Sequence, residues 1–283
     1  MEGGVPRSLL DRGYLAGLAG VLTLEAAGVT IQVVTGVPVP IITVVAAAFV
    51  VACMVRVHGL WGTMAFAALV FAIPFASEFL GVLTGFPYGA YAYTDLVGPR
   101  LLGLVPIFIF IAWINIGYMV IATTTLAFGR SSLWLAPVDG VLAVAWDAMV
   151  DPLAVRAGYW TWAAQDGFYG VPLSNFAGWF LVVTLLSLAA RTVWARDVRA
   201  PAQTSRTVAW ILPALLLGSS LDFGVLAAAG GLGWAAVTGN AILIPAGVVA
   251  WARLARSPQG RSTPNPWARP RRASVAERSA GRA

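Results

Sequence analysis

Long apolar segments separated by short polar breaks dominate the chain. Each segment has about the 20-residue length that an α-helix needs to cross the hydrocarbon core of a bilayer. The pattern therefore predicts an all-α fold, a polytopic membrane helix bundle with about eight transmembrane helices. The predicted spans are residues 14–34, 37–55, 60–83, 101–128, 133–150, 176–194, 208–229 and 234–254.

The composition agrees with this pattern. Of the 283 residues, 59% are hydrophobic and 11% are charged, whereas soluble domains carry about 25% charged residues. An ordinary soluble enzyme is thereby excluded, and we expect an integral protein of a bacterial cytoplasmic membrane. Most arginines lie in alternate polar breaks, which by the positive-inside rule predicts that both termini are cytoplasmic. An even number of spans satisfies that orientation.

The positive charge of the chain is concentrated at its C-terminal end. From Arg253 onward there are eight Arg and one Glu, so this segment carries +7 and the preceding residues carry −1. We therefore divide the chain into a helical bundle, residues 1–254, and a disordered Arg/Pro-rich cytoplasmic tail, residues 255–283. The expected partner of the tail is the anionic membrane surface, and no nucleic acid partner is expected.

Missing residue types exclude several chemistries. All 18 basic residues are Arg, so no lysine can form a Schiff base. The single cysteine, Cys53, allows neither an internal disulfide nor a cysteine-based metal cluster. The single histidine, His58, lies beside Arg56 in a short polar break, and we interpret it as a solvated loop residue. We expect no metal and no cofactor.

Carboxylic acids interrupt several predicted spans. A charge near the bilayer centre costs about 2.5 to 3.5 kcal/mol, which makes such a residue a candidate for function. We predict no arginine deep within any span, so these acids are expected to be protonated, hydrated or hydrogen-bonded to one another. They are Glu25, Glu78, Asp139, Asp147 and Asp222, with Asp151 at the outer end of the fifth span.

The predicted topology places all of these acids except Asp139 in the outer half of the membrane. Asp139 lies more than two helical turns from Asp147 toward the cytoplasm, and we interpret it as a structural or relay residue. Asp147 and Asp151 are four residues apart and therefore share one helix face. Two such carboxyl groups tend to share a proton, which provides an acid and a base in one site. For Asp151 the alternative is an exposed helix end before Pro152.

The middle third of the chain resembles the membrane carotenoid hydratases of the CruF type. The resemblance is specific over about residues 74–180 and diffuse elsewhere. It rests on Ser77-Glu78, Thr84-Gly85-Phe86-Pro87-Tyr88-Gly89, Tyr93, Gly98-Pro99, Trp146-Asp147, Asp151-Pro152, Gly158-Tyr159-Trp160, Gly170-Val171-Pro172-Leu173-Ser174-Asn175-Phe176 and Gly178-Trp179.

The resemblance implies a carotenoid 1,2-hydratase, a cofactor-independent hydro-lyase. Such an enzyme adds water across the terminal double bond of an acyclic carotenoid end group and produces a tertiary alcohol. Lycopene, γ-carotene and precursors of the bacterioruberin type all carry that end group. The implied partners are the acyclic carotenoid, water and the lipid bilayer, together with other enzymes of the carotenoid pathway.

The residues fit this chemistry independently. Protonating an unactivated alkene creates a tertiary carbocation, so the reaction needs a well-placed acid such as a carboxyl group kept neutral by an apolar site. We assign Asp147 or Glu78 as the acid and the other, with Asp151, as the base that holds water. Aromatic faces can stabilise the cation. The predicted substrate-binding residues are Glu25, Tyr88, Tyr93, Tyr159, Trp160, Tyr169, Asn175, Trp179 and Asp222, although Asn175 could instead cap the sixth helix.

Two other functions remain open from the sequence. The segment Asp147-Ala-Met-Val-Asp151 is similar to the second aspartate motif of membrane prenyltransferases, which hold magnesium and a diphosphate. Here there is one such motif and few cations at the outer mouth. The buried acids could also form the proton relay of a proton-coupled membrane transporter. Most of these acids, however, are expected on one side of the membrane.

Overall fold

The computed structural model describes residues 7–35, 41–164, 166–197, 203–257 and 262–267. Within these ranges the helices are α1 (Arg7–Thr35), α2 (Ile41–Val70), α3 (Ala76–Thr84), α4 (Ile107–Phe128), α5 (Ala136–Arg156), α6 (Leu173–Arg196), α7 (Arg206–Ala229) and α8 (Gly233–Arg256). A π-helical turn, Phe71–Phe75, joins α2 to α3. The strands are β1 (Tyr91–Tyr93), β2 (Arg100–Leu101), β3 (Val105–Pro106), β4 (Trp160–Trp162), β5 (Gln203–Ser205) and β6 (Ser262–Pro264).

Seven helical segments of the described chain are long and apolar enough to cross a membrane. The segment Ile41–Thr84 has 44 residues, about twice the length of one crossing. It is broken at Gly59, whose φ of 73° and ψ of 174° favour glycine. Ile42 and Glu78, near its two ends, line cavities that Phe108 of α4 also lines. The chain therefore reverses at Gly59 and crosses twice, which agrees with about eight spans. The predicted all-α polytopic bundle is confirmed.

Helices α4 and α5 form the centre of the bundle. In the most apolar part of α4, 67% of the residues are buried, against 11% in α1. Small residues let the helices approach closely, as is usual in membranes. A β carbon at Gly239 of α8, for example, would lie 2.7 Å from the Ala145 carbonyl oxygen of α5. Most residues of α4 and α5 are consequently removed from both lipid and water.

Two loops cover one end of the bundle, which we call the loop end, residues 85–106 and 157–172. Strands β1 and β4 pair antiparallel, with Tyr91 opposite Trp162 and Tyr93 opposite Trp160. Strands β2 and β3 form a second antiparallel pair. This pair explains why α4 begins at Ile107 rather than at the predicted residue 101. The paired loops hold their aromatic side chains over the ends of α3 and α5.

At the opposite end, residues 262–267 pack against the bundle. Strand β6 pairs antiparallel with β5. The Asn265 amide donates to the Val57 carbonyl oxygen at 2.9 Å, and Trp267 is buried. This part of the predicted disordered tail is therefore attached to the bundle, because Trp267 supplies apolar surface that can be buried. Residues 258–261 and 268–283 lie outside the described residues.

His58 also lies at this opposite end, and the prediction of a solvated loop residue was wrong. Its side chain is buried, and its ring stacks on Trp194 with the centroids 4.0 Å apart. Trp267 packs on it edge-on at 5.2 Å. The polar break around His58 is the place where the chain reverses direction, and neighbouring aromatic residues cover that reversal.

Candidate active site

Glu78 lies in the first turn of α3, directly after the π-helical turn that contains Pro74. Proline has no backbone N–H to donate, and a π-helical turn accommodates the resulting gap in the helix. The buried Glu78 carboxyl accepts a hydrogen bond from the Trp113 indole at 3.1 Å. It also accepts from the hydroxyls of Tyr91 at 2.5 Å and Tyr93 at 2.7 Å. Three donors therefore fix the orientation of this carboxyl group.

Tyr91 and Tyr93 reach Glu78 because they belong to one strand. Alternate residues of a strand point to the same face, so both hydroxyls can converge on one carboxyl group. Burial, followed by the negative charge of Glu78, raises the pKa of Tyr93 well above its ordinary value. The hydroxyl therefore stays protonated and remains a donor.

Asp147 and Asp151 lie one turn apart on α5 and are both buried. The Asn175 amide donates to Asp147 at 2.7 Å and to Asp151 at 2.5 Å, which uses both of its hydrogens. The side chains of the two aspartates also interact directly with each other. Asn175 is not the cap of α6, since Pro172 occupies that position. The amide therefore joins two acids to the start of another helix.

Glu78 and Asp151 face one cavity of about 80 Å³ at the loop end. Water needs only about 10 to 15 Å³ of such space, so the cavity can hold more than a single water molecule. Trp113 and Trp179 stack within its wall with their centroids 4.2 Å apart. Asp147 lies behind Asn175 and is not part of the lining. The remaining polar and aromatic lining residues are Tyr88, Tyr91, Tyr93, Phe108, Trp160, Trp162 and Asn175.

A larger cavity of about 220 Å³ adjoins the first. The two cavities have Phe108, Ala112, Ile116, Val150 and Trp160 in common. The wall of the larger cavity is mostly apolar. An apolar chain whose end occupied the smaller cavity could therefore continue into the larger one across this shared wall.

Comparisons with known proteins identify the kind of protein that contains these cavities. Residues 37–245 match the family model described as "Carotenoid biosynthesis protein". The chain belongs to the carotenoid biosynthesis protein family. The family resemblance predicted from the loop motifs is thereby confirmed.

One relative carries a more specific name. Over 115 residues the present chain is 37% identical to a protein named bisanhydrobacterioruberin hydratase from Haloarcula japonica. The alignment covers 37% of this chain and 36% of that relative, so about a third of the relative's length is matched. No solved structure matches the chain.

Most of the site residues predicted from the sequence line one of the two cavities. The smaller cavity is lined by Glu78, Tyr88, Tyr93, Asp151, Asn175 and Trp179. The larger cavity is lined by Glu25, Tyr159 and Asp222, and Trp160 lines both cavities.

Tyr169 lines neither cavity. Its hydroxyl accepts a hydrogen bond from the Trp234 backbone N–H at 3.2 Å, and its ring packs on Phe168. Its backbone is in the left-handed region, with φ of 54°, in a turn beside the start of α8. The predicted role of Tyr169 in the cavity wall therefore has no support in the geometry.

Two residues that bind Glu78 were not predicted from the sequence. Tyr91 carried a usable signal, because it stands two positions before Tyr93 in a strand and must point to the same face. Trp113 gave no such signal in the sequence, because it lies within an uninterrupted apolar helix. Only the packing of α4 against α3 shows that its indole donates to Glu78.

Asp139 has a different environment from the other acids of α5. It forms a buried ion pair with Arg191, with 2.7 Å between Nη2 and Oδ2. Thr124 and Ser187 donate to its two carboxyl oxygens, each at 2.5 Å. The prediction that no arginine lies deep in the bundle was therefore wrong. Arg191 is buried because α6 extends to Arg196 and carries it against α4 and α5.

Proposed function

We propose that this protein is a carotenoid hydratase that adds water to the terminal 1,2 double bond of an acyclic carotenoid. One observation carries the proposal: Glu78 and Asp151, from separate helices, share an aromatic cavity that adjoins a larger apolar cavity. Membership in the carotenoid biosynthesis family supports a carotenoid substrate. The name of the Haloarcula japonica relative supports hydration.

Asp151 is the proposed proton donor, which revises the assignment of Asp147 or Glu78 as the acid that was made from the sequence. Of the two aspartates it is the one that lines the smaller cavity, and a general acid must lie within reach of the atom it protonates. Asp147, behind it, is the proposed partner that shares the proton. Asn175 holds both carboxyl groups in place. In the first step the proton moves from Asp151 to C-2 of the end group, and the double bond becomes a tertiary cation at C-1.

Glu78 and the tryptophans complete the proposed reaction. The stacked rings of Trp113 and Trp179 present aromatic faces that stabilise a cation. Glu78 orients a water molecule toward C-1 and stabilises the positive charge. Water attacks C-1, and the proton that it loses returns to the carboxyl cluster. The alkene thereby gains one hydrogen at C-2 and one hydroxyl at C-1, and no oxidant or reductant is consumed.

The two alternative functions have less support. Prenyl transfer needs cations that bind a diphosphate, and no arginine of the described chain lines either cavity. A proton relay across the bundle would have to continue from Asp147 to Asp139. Asp139, however, is paired with Arg191 and surrounded by its own donors.

Coexpression in cells that accumulate lycopene tests the proposal. The wild-type protein should convert the pigment to a product heavier by one water molecule, detected by chromatography and mass spectrometry. Membranes that contain the protein but leave lycopene unchanged, and likewise γ-carotene and bacterioruberin-type precursors, would contradict it. Addition of prenyl units with magnesium and a prenyl diphosphate would favour the transferase. Proton flux in carotenoid-free vesicles would favour the transporter.

A further inference from the structure

Ser77 and Tyr88 form a hydrogen-bonded pair beside the smaller cavity, and the chemistry of their neighbours fixes the direction of that bond. The Ser77 hydroxyl lies 2.6 Å from the Pro74 carbonyl oxygen and 2.5 Å from the Tyr88 hydroxyl. A carbonyl oxygen can only accept, so the single hydroxyl hydrogen of Ser77 goes to Pro74. Ser77 therefore accepts from Tyr88, and the hydroxyl hydrogen of Tyr88 points toward α3.

The side chain of Tyr88 is buried, protonated and closely packed. It is 2% exposed, and burial, followed by the negative charge of Glu78, raises the pKa of Tyr88 well above its ordinary value. A β carbon at Gly81 of α3 or Gly178 of α6 would lie 2.9 or 2.7 Å from its ring, so the ring packs directly on both helices. Its backbone carbonyl oxygen accepts from the Trp162 indole at 3.1 Å. The hydroxyl oxygen therefore has a fixed position.

Tyr88 and Glu78 both line the smaller cavity and offer acceptors to its contents. Because the hydrogen of Tyr88 is donated to Ser77, its oxygen can only accept from a molecule in the cavity. A carboxylate has about four acceptor positions, and three hydrogen bonds already reach Glu78 from the surrounding side chains. The carboxylate thus retains room for a further donor. Two acceptors match the two hydrogens of a water molecule.

We propose that Tyr88 positions the attacking water, which it holds together with Glu78 by the two hydrogens of that water. The inference rests on the proposed hydratase function. A water molecule bound in this way directs its lone pairs away from both acceptors and toward C-1 of the cation. As the bond from oxygen to C-1 forms, the O–H bond that faces Glu78 breaks, and Glu78 takes the proton. The second hydrogen remains on the oxygen, bonded to Tyr88, and becomes the hydrogen of the product hydroxyl.

This arrangement selects water over a nucleophile that has one hydrogen. Methanol can donate its hydrogen to Glu78, but its methyl group then takes the place of the hydrogen that Tyr88 would accept. A buried acceptor left without a donor is unfavourable. The wild type should therefore add water in strong preference to methanol, and loss of the Tyr88 hydroxyl should weaken that preference.

The experiment uses the full chain in detergent with lycopene and a fixed fraction of methanol in the water. The ratio of methyl ether to alcohol is measured by chromatography and mass spectrometry, and it does not depend on how much protein is folded. Tyr88→Phe should raise this ratio at least about tenfold over the wild type. Ser77→Ala frees the hydrogen of Tyr88 and should raise the ratio by a smaller factor. Tyr14→Phe, which loses a hydrogen bond to the Ala52 carbonyl oxygen of α2, is the matched control and should keep the wild-type ratio.

An unchanged ratio in Tyr88→Phe would overturn the inference, as would a wild type that adds methanol and water in proportion to their concentrations. If Tyr88→Phe forms neither product, Ser77→Ala decides: a raised ratio supports the role of Tyr88, and the wild-type ratio overturns it. A wild type that forms neither product contradicts the hydratase function itself, and the role of Tyr88 then fails with it.

Discussion

Helix α5 carries two buried acidic clusters that differ in their partners. At one end, Asp139 is paired with Arg191, and hydroxyl donors bind both of its carboxyl oxygens. Two turns along the same helix, Asp147 and Asp151 share the Asn175 amide. In the described part of the chain, no arginine forms an ion pair with either of them. The first cluster has its charge compensated, and the second does not.

The difference shows what separates a structural acid from a candidate catalyst in this bundle. Asp139 is fully buried and lines neither of the two cavities. Asp151 lines a cavity with Glu78 and is held by an amide that can donate hydrogens but neutralises no charge. A proton on the second cluster is consequently available to a ligand. Variants of the two clusters should therefore affect different quantities, rate in one case and stability in the other.

The largest expected effect is loss of hydration in Asp151→Asn. The amide cannot supply the proton, and general acid catalysis is typically worth about 10²- to 10⁴-fold in rate. Initial rates with lycopene should fall by that amount while the protein still folds, as judged by its thermal unfolding in detergent. Asp139→Asn is the matched control and should lower stability while retaining the rate per folded molecule. Full activity in Asp151→Asn would refute its role.

Arg191→Met should produce the largest loss of stability. Removing one member of a buried ion pair leaves the other charge uncompensated and costs about 3 to 5 kcal/mol. Thermal unfolding should therefore begin at a markedly lower temperature than in the wild type. A double variant, Asp139→Leu with Arg191→Met, should regain most of the loss because no buried charge is left. Failure of the double variant to recover would show that the hydroxyl network matters more than the ion pair.

Asn175→Leu should reduce the rate by about tenfold to a hundredfold, since a hydrogen bond to a charged group contributes about 1.5 to 3 kcal/mol. Asn175 acts through Asp147 and Asp151, so kcat should fall while KM changes little. The neighbouring Ser174→Ala serves as control and should have a small effect, because the hydrogen bond from Ser174 to the Tyr88 carbonyl oxygen is long, at 3.4 Å. A change in KM alone would instead assign Asn175 to substrate binding.

The smallest expected effect is that of Gly59→Ala, at the end of the bundle opposite the loop end. With φ of 73° and ψ of 174°, an alanine there should cost about 1 to 3 kcal/mol of folding free energy. The rate per folded molecule should not change, because Gly59 lines neither cavity. Gly13→Ala, within α1 and with open space at its β carbon, should not lower stability, because alanine favours a helix more than glycine does. A lower rate per folded molecule in Gly59→Ala would link this turn to the loop-end site.

The sequence alone was sufficient for the helical architecture and for the principal acids. Apolar length is a local property, since each span must satisfy its own backbone hydrogen bonds and match the bilayer thickness. The four-residue spacing of Asp147 and Asp151 likewise predicted that they share a face. Acids inside apolar spans are costly enough to stand out without a structure.

The tertiary structure alone decided which partner each acid has. Asp139 and Asp147 look alike in the sequence, yet one meets Arg191 and the other Asn175, because those contacts depend on how α6 packs against α5. Trp113 reaches Glu78, and Tyr169 turns toward α8, for the same reason. Helix formation depends on neighbours along the chain, whereas a partner dozens of residues away is determined only when the helices pack.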